Sequence, residues 1–190
     1  MQTNNRFRNI FLVGMMVAAA FSRMIPHPVN FAPIGALALF GAAYFPKKWM
    51  AILAPLVCLW ISDLFINNVV YGAYNDGFVF FYGGWYWMYA TTLLTTVMGF
   101  GLLKKINVAT VLGSAVLASI LFFAVTNFVC WPGNPLYPQN FMGLMACYIA
   151  GVPFFAGTLL GNVFYSAVMF GGFELAKRQY PSLNAQPAKA

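Results

Sequence analysis

A short segment between two apolar runs carries the rarest polar side chains of the chain. The sequence SRMIPHPVNF, residues 22–31, contains Arg23, the single histidine His27, and Asn30. A cation, an imidazole and an amide at this spacing could contact a hydrogen-bonding ligand or respond to protons, and His27 is a weak candidate for a metal contact. The prolines on either side hold His27 in an extended conformation, so its imidazole is expected at the outer surface. A ligand contact and an interfacial histidine without a function explain His27 equally well.

Two further polar residues are expected at the same depth as Arg23. Arg23, Asp63 and Asn162 each lie 15 residues from a basic residue at one end of an apolar run. At a helical rise of about 1.5 Å per residue, each lies about 22 Å from that end. Charged side chains inside a membrane usually face a cavity or a partner. We therefore predict an Arg23–Asp63 ion pair with Asn162 within reach, which serves either as a clamp between two helices or as part of a ligand site.

Other candidate ligand-binding residues lie toward the same ends of the runs. They are polar or aromatic and occur in connections rich in glycine, proline and aromatic residues: Asn67, Tyr82, Trp85, Asn127 and Trp131. A lid over a cavity and an ordinary interfacial belt of aromatic residues share this composition. No metalloprotease, nucleophile-elbow or phosphate-loop motif occurs, so no catalytic residue is predicted. A membrane enzyme with His27 and Asp63 as acid and base is a weaker alternative, because no nucleophile accompanies them.

The composition identifies the environment of the chain. Of its 190 residues, 62% are hydrophobic and 7% are charged, whereas soluble domains carry roughly 25% charged residues. So few charged side chains cannot cover a water-facing surface. We therefore predict an integral membrane protein with a single all-α domain at 1–178 and a disordered cytoplasmic tail at 179–190.

Six apolar runs are predicted to form transmembrane helices. Pro153 divides the last apolar region, because proline interrupts helical hydrogen bonding, and residues 140–152 are then expected to form a short extra helix at the outer side. The predicted spans cover about 9–24, 31–45, 49–66, 83–103, 108–130 and 154–176.

The basic residues indicate the orientation of this bundle. With six spans, nine of the ten Lys and Arg residues fall on one side and Arg23 falls on the other. The positive-inside rule assigns the basic side to the cytoplasm, with both termini inside. This arrangement explains the net charge of +7 without a nucleic-acid partner, and it also places the basic ends where they can contact anionic membrane lipid.

Small residues recur at helical spacing in the first run. Gly14, Ala18 and Ser22 are four residues apart, and such spacing lets helix backbones approach closely. This face could pack within the bundle or meet the helix of a partner protein.

Four segments carry a resemblance to a known family: SRMIPHPVNFAPIGALALFGAAYF (22–45), PLVCLWISDLF (55–65), TNF (126–128) and PFFAGTLLGNVFYSAVMFGGFELAKR (153–178). The chain resembles an uncharacterised bacterial family of small six-helix membrane proteins. That family is similar to the substrate-binding S components of energy-coupling-factor vitamin transporters. The solitary cobalamin-binding S component is the nearest functional relative that the resemblance suggests.

The resemblance implies a substrate-binding subunit in the bacterial inner membrane for uptake of a vitamin-like micronutrient from the outer side. It implies outer loops that close over a small-molecule ligand, and a small-residue face on the first helix for a coupling transmembrane subunit that works with an ATPase. His27 and Asp63 match two positions that line the cobalamin site, so a cobalamin-like ligand is a candidate. Residues 67–90 contain no cysteine, so the cobalt-binding cysteine of that site has no counterpart here.

Overall fold

The fold is all-helical in the part of the chain that the structure describes. The structure is a computed structural model that describes residues 2–184, with side chains from residue 6 onward. No β-strand occurs between residues 2 and 184. The α-helices of this part are α1 (Gln2–Phe21), α2 (Ile34–Tyr44), α3 (Lys48–Phe65), α4 (Trp85–Leu102), α5 (Val108–Cys130) and α6 (Phe141–Gln179).

Four segments are long and apolar enough to cross a membrane, which makes this a membrane protein. They are Arg6–Met24, Lys48–Val70, Val108–Cys130 and Phe141–Gln179. Each predicted span contains a helix, but the second and fourth helices are shorter than these. The all-α bundle is thus confirmed, whereas six complete crossings and an orientation with both termini inside remain predictions.

The short helix α2 lies at the centre of the bundle. It contacts all five other helices, and its residues from Ala36 to Gly41 are buried. With 11 residues it is about 16 Å long, roughly half of the ~30 Å hydrocarbon core of a bilayer. The chain before it, residues 25–33, is irregular and lies toward the end of the bundle away from the basic residues.

The irregular segment, residues 25–33, packs alongside α6, where two glycines leave room for its backbone. A Cβ atom on Gly161 would lie 2.8 Å from the backbone nitrogen of Ala32, and one on Gly157 would collide with the carbonyl oxygen of Val29. The absence of side chains at these positions lets two backbones touch, as in small-residue helix contacts in membranes.

The last helix is continuous, so the predicted division at Pro153 is wrong. Helix α6 runs from Phe141 to Gln179 through Pro153 without a break, and residues 140–152 do not form a separate helix. In hydrocarbon, a break in the helix would leave several backbone N–H and C=O groups without hydrogen bonds. Each such group costs several kcal/mol, whereas a proline inside a helix costs about 3 kcal/mol. The intact helix is therefore the less costly solution.

The basic residues of the described part collect at one end of the bundle, except for Arg23. Arg8 donates a hydrogen bond from Nη2 to the carbonyl oxygen of Tyr44 at 2.7 Å. The Tyr44 hydroxyl donates to Glu174, which also pairs with Lys177. This network joins the start of α1 to the ends of α2 and α6.

Part of the predicted tail is structured. A 3-10 turn at Pro181–Asn184 packs against α1 and buries Leu183, because the last turn of α6 brings this apolar side chain back to the bundle. The rest of the predicted tail, 185–190, which includes Lys189, lies outside the described residues.

The orientation can be tested at Cys130. This cysteine is exposed at the end of α5 away from the basic cluster, whereas Cys58 and Cys147 are buried. If both termini are cytoplasmic, a membrane-impermeant maleimide should label Cys130 in right-side-out vesicles and not in inside-out vesicles. A Cys130→Ser, Lys104→Cys variant should show the opposite pattern, and an exchange of the two patterns would contradict the predicted orientation.

The contact between α6 and the irregular segment can be tested at Gly157. We expect Gly157→Ala to destabilise the protein by about 1–3 kcal/mol, because the new methyl group meets backbone atoms that can move only together with the segment. Gly171→Ala is the matched control, since a Cβ there meets nothing within 4 Å, and it should stabilise α6 by about 0.5–1 kcal/mol. Denaturation in detergent measures both changes, and equal effects of the two variants would contradict the close contact.

Candidate functional site

A cavity of about 270 Å³ with both polar and apolar lining residues lies between the irregular segment, the first turn of α2, the chain that follows α3, and helices α4, α5 and α6. Four of the predicted ligand-binding residues line it: Arg23, His27, Asn30 and Asn162. They come from two separate parts of the chain, three of them from residues 22–31 and one from α6. Of the three residues expected at one depth, Arg23 and Asn162 therefore line the same cavity.

The predicted ion pair holds Arg23 at one side of this cavity. Arg23 Nη1 lies 2.7 Å from Asp63 Oδ1 and 2.6 Å from the Ser62 hydroxyl oxygen. The Tyr89 hydroxyl donates to the second carboxylate oxygen of Asp63 at 3.2 Å. Arg23 and Asp63 side chains are only 14% and 5% exposed, so each needs the other to balance its charge. Asp63 lies behind Arg23 and does not line the cavity.

Asn162 does not contact the ion pair, and it is oriented by α5. Its Nδ2 donates to the Ser119 hydroxyl oxygen at 2.9 Å, while the Ser119 hydroxyl donates its own proton to the Ala115 carbonyl oxygen. The Asn162 Oδ1 atom lies against Gly35, where any side chain would collide with the amide group. Gly35 is thus required for α2 to begin beside Asn162.

Threonines of α4 form a wall of the cavity that the sequence analysis missed. Thr91, Thr92 and Thr95 are buried and line the cavity, and Thr158 of α6 lines it as well. The signal was present in the run TTLLTT at 91–96, where threonines three and four residues apart are neighbours on the helix surface. A polar face on a helix in an apolar chain indicates a wet interior or a ligand.

His27, Asn30 and Tyr71 lie at the outer opening of the cavity. All three are exposed and line it, as predicted for His27. The His27 Nδ1 atom lies 2.9 Å from the Pro28 carbonyl oxygen, which leaves Nε2 for other contacts. Asn30 has a φ of 61°, a left-handed conformation that asparagine tolerates better than most residues.

A second cavity of about 200 Å³ adjoins the first. It is lined by Asn127, Thr126 and Cys130 together with three residues that also line the main cavity: Asn30, Phe122 and Thr158. The predicted residue Asn127 therefore belongs to this neighbouring space. Its Nδ2 donates to the Phe123 carbonyl oxygen, and its Oδ1 faces Gly151.

The other predicted ligand residues lie outside both cavity walls. The Asn67 carbonyl oxygen accepts from Asn75 in the loop after α3, and Trp131 Nε1 donates to Pro138 in the α5–α6 connection. Trp85 stacks within an aromatic cluster beside Tyr89. Burial, reinforced by the nearby Asp63 carboxylate, raises the pKa of Tyr82 to about 12, so its hydroxyl stays protonated at neutral pH.

The small-residue face of α1 is only partly free. Gly14 and Ala18 are exposed, and a Cβ on Gly14 would meet nothing within 4 Å. The Ser22 hydroxyl instead lies 2.8 Å from the Tyr165 hydroxyl of α6. Ser22 therefore belongs to packing within the bundle, and a role of this face in binding a partner remains a prediction.

Metal chemistry has no ready site in the described chain. Across residues 6–184, no three His, Cys, Asp or Glu side chains come together in a way that could hold a metal ion. The site contains hydroxyls, amides and one ion pair, which suit hydrogen bonding to an organic molecule.

The chain belongs to the family described as "Family of unknown function (DUF6580)", whose model matches residues 3–183. The match includes every residue that lines the two cavities. Neither a curated protein nor a solved structure matches the chain.

The ion pair can be tested by removing one charge at a time. We expect Asp63→Asn to destabilise the protein by about 3–5 kcal/mol, because it leaves the Arg23 cation buried without a counter-charge. Glu174→Gln is the control, since its pair with Lys177 is more exposed and should change stability by less than about 1 kcal/mol. The double variant Arg23→Gln, Asp63→Asn should be less destabilised than the sum of its single variants, and additive effects measured by chemical denaturation would contradict the pairing.

Proposed function

We propose that this chain is the substrate-binding subunit of a membrane uptake system and receives a vitamin-like micronutrient from the outer side. The main support is the cavity of about 270 Å³ in a chain with only 7% charged residues. Into that space the fold brings an arginine, two asparagines and four threonines. Ligand sites are typically concave and largely pre-formed, with a few convergent polar groups.

The energetics favour a binding role over simple packing. Polar side chains inside a membrane protein are costly unless they are paired or face water or a ligand. A bundle that needed only stability would place apolar side chains around α2, since well-packed apolar residues are at least as stabilising as a buried ion pair. The polar cavity wall is therefore better explained by a molecule that enters it.

The size of the cavity restricts the ligand. Sites for drug-sized molecules have volumes of about 300–1,000 Å³, and this cavity lies just below that range. A corrinoid is larger than such molecules, so it would require the outer segments to open. A small micronutrient fits the cavity in the conformation of the structure.

Uptake also requires coupling to an energy source. Gly14 and Ala18 give α1 an exposed face of small residues, which suits close approach by a helix of another subunit. A coupling transmembrane subunit together with an ATPase is the partner that accords with the resemblance noted above.

A helix clamp in a larger membrane complex is the second candidate function. The observation that favours it is the short, buried Arg23–Asp63 contact, which joins the end of α1 to α3. The exchanged variant Arg23→Asp, Asp63→Arg distinguishes the two roles. A clamp keeps its stability after the exchange, whereas a ligand site loses binding because the guanidinium leaves the cavity wall.

The binding role can be tested with neighbouring threonines of α4. Thr95 lines the cavity and Thr96 does not, yet both are buried and both donate their hydroxyl proton to the carbonyl oxygen four residues earlier. We expect Thr95→Val to reduce the amount of co-purified small molecule, measured by mass spectrometry of extracts, by about three- to tenfold for one lost hydrogen bond. Thr96→Val should leave it unchanged.

Two results would contradict the proposal. One is the absence of any co-purified molecule from wild-type protein isolated from its native membrane. The other is equal occupancy in Thr95→Val and Thr96→Val, which would mean that the molecule binds elsewhere on the protein.

A further inference from the structure

One wall of the cavity can only accept hydrogen bonds. The hydroxyls of Thr91, Thr92 and Thr95 each donate their single proton to a backbone carbonyl oxygen of α4, at 2.7 to 2.8 Å. A hydroxyl has one proton and two lone pairs. Any ligand atom that hydrogen-bonds to these oxygens must therefore be an N–H or O–H donor.

Asn162 extends this accepting wall. Because the Ser119 hydroxyl gives its proton to Ala115, it can only accept from the Asn162 amide, which must present Nδ2 to it. This arrangement fixes the amide, and Oδ1 is left as an acceptor beside Gly35 at the cavity wall. Asn162 is only 3% exposed, so the orientation is held by the protein and not by bulk water.

Another wall of the cavity presents donors. The hydrogen bonds that Arg23 makes within residues 6–184 both leave from Nη1, so Nε and Nη2 have no protein acceptor there. The edge of a guanidinium group favours a carboxylate.

The charge of the site restricts the ligand further. Asp63 balances the charge of Arg23 from behind the cavity wall, and among the described residues no Asp, Glu or Lys and no second Arg lines the cavity. His27 lies at the exposed opening. A ligand with a net charge would thus bring an uncompensated charge into the bundle, which is costly.

From this asymmetry we propose that the ligand is a small zwitterion with a protonated amine at one end and a carboxylate at the other. The carboxylate accepts from Arg23, and the ammonium group donates to the Thr91–Thr92–Thr95 wall and Asn162. The inference rests on the proposed binding function, to which it adds the chemical class and the orientation of the ligand. The cavity of about 270 Å³ limits the molecule to less than drug size.

A ladder of simple probes tests the charge requirement. The purified protein in lipid nanodiscs is titrated with glycine, 3-aminopropanoate, 4-aminobutanoate, 5-aminopentanoate and 6-aminohexanoate. The carboxylate and the alkylamine of each chain length serve as single-charge controls. Thermal unfolding or tryptophan fluorescence reports binding. We expect at least one zwitterion to half-saturate at a concentration about tenfold or more below both of its single-charge counterparts, since each lost charged contact weakens binding by that order.

A matched pair of variants tests the orientation. Thr92→Val should weaken binding of the best zwitterion and of the matching alkylamine about three- to tenfold while leaving the carboxylate unchanged. Thr96 is buried on the same helix but does not line the cavity, so Thr96→Val should leave the affinities for all three probes unchanged. A weakened carboxylate in Thr92→Val would overturn the proposed orientation.

The remaining outcomes separate this inference from the binding function itself. If a carboxylate or an amine alone binds as tightly as the zwitterion and is weakened by Thr92→Val, the cavity binds ligands but the zwitterion is wrong. A second result would also show that the zwitterion is wrong while the cavity still binds a ligand. In this case no probe binds up to about 10 mM, which is weaker than millimolar affinity, but a co-purified molecule of another charge class is lost in Thr95→Val. If neither the probes nor a co-purified molecule binds, both proposals fail.

Discussion

The buried contact between Arg23 and Asp63 is the constraint on which the arrangement of the half of the bundle that contains the cavity depends. A guanidinium group at this depth must find a carboxylate, and the one available lies on α3. The contact fixes where α1 ends, and from that point the chain must turn inward to reach α2. The same contact uses only the Nη1 atom of Arg23, so the charge is balanced while much of the guanidinium group stays at the cavity wall.

The cavity exists because α2 is short. A full transmembrane helix at the centre of the bundle would occupy the space that the cavity takes up. Helix α2 instead begins beside Asn162, and the chain before it follows the glycine face of α6. Irregular backbone at membrane depth is tolerated where it lies against protein or lines a cavity, and residues Asn30 and Ala32 do line it. The glycines at 157 and 161 therefore shape the site without touching a ligand.

Features that depend on composition and on depth in the membrane could be predicted from the sequence, whereas features that depend on packing could not. The low fraction of charged residues predicted the membrane bundle. The equal sequence distance of Arg23, Asp63 and Asn162 from basic residues predicted a shared depth, because helical rise converts sequence distance directly into depth. Pro153 misled because lipid penalises a broken helix more than a missing hydrogen bond. The threonines of α4 were missed because single threonines are common in apolar helices. Only the fold shows that three of them line the same cavity as Arg23.

The two proposed roles of Arg23, a helix clamp and a ligand contact, are compatible with each other, and this changes which residues can distinguish them. Arg23 uses Nη1 for Asp63 and Ser62 and also lines the cavity, so a single substitution of Arg23 is expected to disturb stability and binding together. The threonine wall is separate from the ion pair, and its hydroxyls already satisfy the backbone of α4. A valine at these positions keeps the shape of threonine and leaves Arg23 and Asp63 paired. Substitutions of the α4 threonines are therefore the best test of the function of the cavity, although the ion pair is the more conspicuous feature.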